Sequence, residues 1–126
     1  VGVETERAET EDRPLGEAFW DWGIPTAASL VCVAPVRFRT VIATGGIATG
    51  LDAARALVLG AHAVGIARPV LQALEQGGRE RALAFLGSVE RELRTALLLM
   101  GARDVATART RPRLIRGELA RWEALT

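Results

Sequence analysis

The chain has 126 residues, of which 49% are hydrophobic and 25% are charged, so it has enough apolar material for one modest core. Its formal net charge is +1, so the chain has no strong electric field to attract nucleic acid or an anionic membrane. All 16 basic residues are arginine, which excludes a lysine Schiff base or a P-loop lysine within this chain. A single cysteine, Cys32, permits no internal disulfide, and no stretch has the length and flanks of a signal peptide or a membrane span, so we expect a cytoplasmic protein without a nucleic-acid partner.

The first 18 residues are polar and mixed in charge without a clear period, so they predict a surface loop with one short helical turn. They begin with Val1 instead of Met, which indicates a processed, truncated or excised piece of a longer protein. From Phe19 onward the sequence becomes more apolar. Pro25 and Thr26 mark the start of a helix, which we predict over residues 26–33.

The stretch TVIATGG contains the first predicted strand, over residues 40–44. It is short, uniformly apolar and bounded by glycine, and we expect it to be buried on both faces, as in a parallel sheet. A helix follows, in which Thr49 and Asp52 have the spacing of a capping box and Gly60 is the expected C-terminal cap. The apolar side of this helix is predicted to consist of Leu51, Ala54, Leu57 and Val58.

A second short apolar strand is predicted over residues 62–67, and the helix between the two strands makes them parallel neighbours. A brief helical segment after Pro69 is expected to end at Gly77 and Gly78, where the longest helix begins. The apolar stripe of that helix is predicted to consist of Leu86, Val89, Leu93, Leu97 and Met100. The tail contains an arginine-rich segment, residues 108–116, which we interpret as a solvated surface or a subunit contact.

The fold class indicated by this order of elements is α/β. Two parallel strands leave sheet edges unprotected, which argues against a free-standing domain. The succession of helix, strand, helix, strand, short helix and long helix is typical of the C-terminal part of a TIM (β/α)8 barrel, about its last two strands, although a doubly wound sheet gives a similar alternation. We therefore interpret residues 1–126 as a fragment of one barrel domain, with a loop at 1–18, the main elements at 19–101 and a tail at 102–126.

Glycines stand at the ends of both predicted strands. In a TIM barrel the loops after the last two strands and the start of a short extra helix commonly form a phosphate site. Here Gly45 and Gly46 end the first strand, and Gly65, Ile66 and Ala67 precede the short helix. Glycine allows close backbone approach to a phosphate, and free N–H groups at a helix start favour an anion. A plain turn at Gly45 and Gly46, and close packing at Gly65, are the alternatives. Two such sites at consecutive strand ends favour a phosphate clamp.

Three stretches carry a resemblance to a known family: WGIPTAASL, VIATGGIATGLDAARALVLGAHAVGIARPVL and ELRTALLLMGARDVATAR. They resemble the C-terminal half of the type 2 isopentenyl diphosphate isomerases, which are flavin-dependent enzymes with a (β/α)8 barrel. The similarity runs nearly end to end. The opening VGVETERA resembles the segment that directly follows the family's Gly-Thr-Ser-Trp motif, and this chain lacks that motif.

The resemblance implies that the backbone of Gly45, Gly46, Gly65, Ile66 and Ala67 holds the phosphate of FMN. It also implies the conversion of isopentenyl diphosphate to dimethylallyl diphosphate in isoprenoid biosynthesis, with reduced FMN as acid and base, Mg²⁺ on the substrate diphosphate and NADPH as reductant. The metal ligands, the flavin-ring contacts and the diphosphate pocket are then expected in a missing N-terminal half. Family members form symmetric oligomers, so a homo-oligomer is expected, and the chain alone is expected to be inactive.

Two positions depart from the family pattern, and one carries a candidate catalytic group. Family members often have Ser before the paired glycines and Arg two positions after them, where this chain has Thr44 and Ala48. Thr44 keeps a hydroxyl, but Ala48 supplies no cation. Glu4 matches a family carboxylate near the active site; the alternative is a solvated loop glutamate.

Two other functions remain open at this point: another FMN-dependent TIM-barrel oxidoreductase, or a non-catalytic fragment that acts as an assembly module. Oxidoreductases of this fold use a His–Arg pair or a loop cysteine. His62 lies between the glycine sites, where a surface or capping role is expected, and Cys32 lies in a predicted helix. Trp20 and Trp22 are expected to be packing anchors.

Overall fold

The computed structural model describes residues 13–125. Its elements, in chain order, are helix α1 (Arg13–Ala18), helix α2 (Thr26–Val33), a 3₁₀ helix (Ala34–Val36), strand β1 (Ile42–Thr44), helix α3 (Gly50–Val58), strand β2 (Ala63–Gly65), helix α4 (Arg68–Leu99), helix α5 (Val105–Thr110) and helix α6 (Glu118–Glu123). Helix α2 has the predicted bounds, and α1 supplies the short helical turn expected within the first 18 residues. Both strands are shorter than predicted.

The two strands pair in parallel, as predicted from the helix between them. Their register joins Ile42 with Ala63, Ala43 with Val64, and Thr44 with Gly65. The α/β class is therefore confirmed, with a two-stranded parallel sheet in the described part of the chain. The small core around the sheet consists of Leu30, Ala43, Ile47, Ala56 and Ala61.

Strand β1 is buried on one face only, so the expectation of burial on both faces is wrong for the described residues. Ala43 is 3% exposed and packs on α2, whereas Ile42 is 61% exposed on the opposite face. Burial on the second face requires a layer of structure that residues 13–125 do not provide there. Nearby Ile24 and Phe38 are also exposed.

Helix α3 packs on α4 through small residues, at very close range. A Cβ atom added at Gly50 would lie 2.2 Å from the carbonyl oxygen of Val89 and 2.5 Å from the nitrogen of Leu93. The buried side of α3 is accordingly built mainly from alanine, with Leu57 as its one large apolar residue. The prediction that Leu51 belongs to this side is wrong, because Leu51 is 47% exposed and is not among the buried residues of α3.

Helix α4 is interrupted where the glycine pair predicts an interruption. Gly77 has φ −164° and ψ 28°, and Gly78 has φ 63° and ψ −159°, so neither is helical. The break separates a short first part of α4 from a long second part. Most of the predicted apolar stripe of the second part is half-buried, but Leu86 is 43% exposed.

One further expectation about side chains is wrong. Trp20 and Trp22 are 53% and 75% exposed, and Trp22 packs edge-on against Phe19, with ring centroids 5.9 Å apart, so neither tryptophan is an anchor for the core. Most of the arginine-rich segment is exposed, as expected of a solvated surface, but Arg109 is half-buried, because its guanidinium donates to the carbonyl oxygens of Leu57 and Ala61. It joins the end of α3 to the residues before β2. None of the helices in residues 13–125 has the length and apolar character needed to cross a membrane.

Candidate functional site at the strand ends

The two parallel strands end at the same edge of the sheet, since Thr44 is paired with Gly65. Neighbouring strands lie about 4.8 Å apart, so the loops that leave them start side by side. Gly45 and Gly46 therefore lie next to the segment that begins at Ile66. The structure brings the predicted cofactor-binding residues together at this edge, and their binding role stays a prediction.

The loop after β1 is held by a hydroxyl from helix α2. Oγ1 of Thr26 donates to the carbonyl oxygen of Gly45 at 2.9 Å and lies 3.2 Å from that of Thr44. Gly45 has φ 95° and Gly46 has φ 71°, a region that favours glycine. A Cβ atom at Gly45 would lie 3.1 Å from Oγ1 of Thr26, whereas one at Gly46 would meet no atom within 4 Å. Gly46 thus borders open space, and its N–H donates to no described residue.

Gly65 is favoured by tight packing within the sheet. A Cβ atom at this position would lie 3.2 Å from Oγ1 of Thr44 and 3.3 Å from its Cβ. The close-packing alternative for Gly65 therefore has direct support. The Thr44 hydroxyl accordingly lies beside Gly65, where the second loop begins.

The start of helix α3 is closed by carboxylates. The predicted capping box is present: Oδ2 of Asp52 accepts from the N–H of Thr49 at 3.1 Å and from its hydroxyl at 2.7 Å, and also from the N–H of Ala48 at 3.3 Å. Glu92, from α4, accepts from the N–H of Gly50 at 2.7 Å. The hydrogen bond from the Thr49 side chain is the largest of the contacts that hold the pKa of Asp52 below its ordinary value. Two negative charges at this helix start disfavour a bound anion there.

The start of helix α4 is open by comparison. Its N-cap residue, Ala67, provides no side-chain hydrogen bond, and proline occupies an early position of the helix. The first helical backbone bond in this turn runs from Leu71 N–H to the Ala67 carbonyl oxygen at 3.0 Å. The N–H groups of Arg68 and Val70 precede that bond and have no partner within the helix. Chemically, these donors and the Gly46 N–H suit an anionic group.

The remaining candidates do not join this site. Glu4 lies outside the described residues. His62 is exposed, in line with the surface role that was one of the two expected: its backbone N–H donates to the Val41 carbonyl oxygen at 2.7 Å, and its Nδ1 accepts from the Val41 N–H at 3.1 Å. Cys32 is half-buried in α2. Within residues 13–125 no cluster of His, Cys, Asp or Glu is arranged to hold a metal ion.

Two residues that shape the site carry no local sequence signal. Thr26 lies 19 positions before Gly45, and the residue pattern marks it only as a helix start. Glu92 lies 42 positions after Gly50, on the polar side of a helix whose pattern indicates solvent exposure. Each acts through a contact between separate elements.

Comparison with known proteins identifies relatives over most of the chain. A family model described as FMN-dependent dehydrogenase matches residues 23–115. A protein of Methanothermobacter thermautotrophicus named isopentenyl-diphosphate delta-isomerase is 49% identical over 122 residues, which are 97% of this chain and 34% of that protein. A protein of the same name from Methanopyrus kandleri is 41% identical over 86% of this chain and 30% of its own length. Another from Pyrococcus furiosus is 42% identical over 96% of this chain and 31% of its own length.

These relatives confirm the resemblance drawn from the sequence motifs. The chain spans about a third of the length of the curated relatives it matches.

Proposed function

Since the chain belongs to the FMN-dependent dehydrogenase family, we propose that it supplies the phosphate-binding part of an FMN site in a type 2 isopentenyl-diphosphate isomerase. The observation that supports this proposal most directly is the arrangement of backbone N–H groups at the edge of the sheet where both strands end. There the open Gly46 loop lies beside the uncapped start of α4, whereas carboxylates close the start of α3.

The residues present fit a phosphate group. Gly45, Gly46, Gly65, Ile66 and Ala67 would hold it through backbone groups. A methyl group at Gly46 would meet no atom of residues 13–125 within 4 Å, so the space beside it is open. Each hydrogen bond from an N–H group to a charged phosphate contributes about 1.5–3 kcal/mol net. Because the chain has alanine where relatives in this family often have arginine, backbone donors carry more of the affinity here.

We propose that the whole protein converts isopentenyl diphosphate to dimethylallyl diphosphate, a reaction for which reduced FMN supplies the acid and base chemistry when bound. This chain's part is to fix the phosphate end of the cofactor. Mg²⁺, NADPH as the reductant of the flavin, and the pocket for the substrate diphosphate are assigned to the portion of the relatives that this chain does not match. The presence of a single cysteine in the chain supports a cytoplasmic setting.

We further propose that β1 and β2 are two strands of a TIM (β/α)8 barrel and that the protein assembles as a homo-oligomer. Exposed apolar side chains beside β1 support the barrel: Ile24, Phe38 and Ile42 are 58%, 54% and 61% exposed. They border an open cleft of about 430 Å³ along the strand. Further strands of a barrel would cover this cleft and pair the free edge of the sheet.

The alternative oxidoreductase and assembly-module functions have less support. The imidazole Nδ1 of His62 is engaged by the Val41 N–H, and Cys32 lies in α2 instead of a loop. Neither residue is placed as the catalytic group that those oxidoreductases use. The relatives named as isomerases over most of the chain favour the isomerase function.

The test is a chimera in which this chain replaces the matching third of the Methanothermobacter relative. With reduced FMN and Mg²⁺ we expect it to isomerise isopentenyl diphosphate, and we expect the 126-residue chain alone to be inactive. Absence of turnover in a folded chimera, with the parent relative active, would overturn the proposal.

Two glycine variants of the chimera locate the cofactor site. Gly46→Ala and Gly60→Ala both place a methyl group at a positive φ with no atom within 4 Å, but only Gly46 lies at the strand ends. We expect weaker FMN binding for Gly46→Ala alone. Equal FMN affinity in the two variants would argue against phosphate binding at this loop.

A further inference from the structure

We propose that Thr26 is a positioning residue that sets the direction of the two backbone N–H groups of the glycine loop and thereby determines the preference for a phosphorylated flavin. The inference rests on the proposed function, because it assigns a cause to the phosphate affinity of that same site. Thr26 itself is not placed in contact with the ligand.

The first step is the pair of carbonyl contacts made by one hydroxyl. Oγ1 of Thr26 lies 2.9 Å from the carbonyl oxygen of Gly45 and 3.2 Å from that of Thr44, so its single proton is shared between two successive carbonyl groups. The hydroxyl caps no helix end, since α2 has no side-chain cap. Its described hydrogen bonds are therefore both directed at the loop after β1.

The second step follows from the geometry of the peptide bond. A trans peptide unit is planar, so its N–H points opposite to its C=O. The Thr44 carbonyl shares a peptide unit with the Gly45 N–H, the Gly45 carbonyl shares one with the Gly46 N–H, and the described chain contains no cis peptide bond. Holding both carbonyl oxygens on Thr26 therefore turns both N–H groups to the side away from α2.

The third step concerns what lies on the two sides of the loop. On the Thr26 side the loop is tightly packed, since a Cβ atom at Gly45 would lie 3.1 Å from Oγ1. Gly46 borders open space, and its N–H donates to no described residue. With φ angles of 95° and 71°, the two glycines allow several loop conformations, so an external contact is needed to select one.

The test compares Thr26→Val, which keeps the shape of the side chain and removes the hydroxyl, with Thr26→Ser, which keeps the hydroxyl. Each variant is made in the chimera described above, which supplies the portion of the relative that this chain does not match, and is titrated with FMN and with riboflavin. These two flavins differ only in the phosphate, and the dissociation constants are measured by flavin fluorescence. The near-ultraviolet circular dichroism spectrum of each variant checks that it is folded.

We expect Thr26→Val to weaken FMN binding about tenfold, to leave riboflavin binding within about twofold, and Thr26→Ser to retain the wild-type preference. Wild-type preference for FMN in Thr26→Val would overturn the inference and leave the proposed function intact. An equal loss for both flavins in Thr26→Val would overturn it as well, because that pattern reflects a general structural role. A chimera with the wild-type sequence and without any preference for FMN would overturn the phosphate site and the inference together.

Discussion

A methyl group added at Gly50 would lie inside the contact between α3 and α4. Its distances of 2.2 Å to the Val89 carbonyl oxygen and 2.5 Å to the Leu93 nitrogen involve backbone atoms, which cannot move aside as a flexible side chain does. The Gly50→Ala variant must therefore separate the two helices. The same separation stretches the 2.7 Å hydrogen bond from the Gly50 N–H to Glu92.

The magnitude follows from three contributions. Overpacking of a tight contact costs about 1–3 kcal/mol. Loss of a hydrogen bond to a charged group costs about 1.5–3 kcal/mol, and the better helix propensity of alanine returns at most about 1 kcal/mol. We expect Gly50→Ala to lower the free energy of unfolding by about 3 kcal/mol, a large fraction of the total for a small domain.

The assay is urea unfolding of the chain followed by circular dichroism, with Gly87→Ala as the matched control. Gly87 lies in the second part of α4, and a Cβ atom there would meet only the mobile end of Arg91, at 3.4 Å. That control should be neutral or stabilised by up to about 1 kcal/mol, since alanine favours the helix. A midpoint for Gly50→Ala equal to that of the wild type would refute the reasoning that α3 and α4 touch at this glycine.

Three further predictions use the same unfolding assay. Arg109→Met removes a half-buried donor to two carbonyl groups and should lower the free energy of unfolding by about 1–3 kcal/mol, whereas the exposed Arg113→Met should stay within about 0.5 kcal/mol of wild type. The pKa of Asp52 is lowered in the folded state, so the ionised carboxylate stabilises the fold at pH values above its ordinary pKa of 3.8, and this stabilisation is lost as the pH falls through the lowered pKa. The difference in unfolding midpoint between wild type and Asp52→Asn should therefore shrink as the pH falls through that range. A difference that stays constant with pH would contradict this prediction. Gly78→Ala meets no atom within 4 Å but places alanine at φ 63° and ψ −159°, a region almost confined to glycine, which should cost about 1–3 kcal/mol, and an unchanged midpoint would show that the break does not need glycine.

The elements that the sequence predicts well are those whose limits depend on neighbours in the chain. Pro25 marks the start of α2, and the pair of Thr49 and Asp52 forms the capping box expected of α3. Gly77 and Gly78 break α4 because their own dihedral angles leave the helical region. Each of these signals acts within a few residues.

The features that the sequence does not predict depend on contacts between distant segments. The role of Thr26 in holding the glycine loop and that of Glu92 in closing α3 arise only when separate elements meet. The burial of a side chain also depends on contacts between distant segments. An apolar run predicts a strand, but whether Ile42 is covered depends on which other structure lies against it.

The interruption at Gly77 and Gly78 makes the direction of the first part of α4 independent of the packing of the second part. An unbroken helix is a rigid rod with a rise of about 1.5 Å per residue, so the packing of its far end would dictate the position of its first turn. In α4 the second part is committed to α3 by the close contact at Gly50. The two glycines let the first part of α4, which begins at Arg68, take a direction of its own, so the open helix start does not have to follow the packing of the second part on α3.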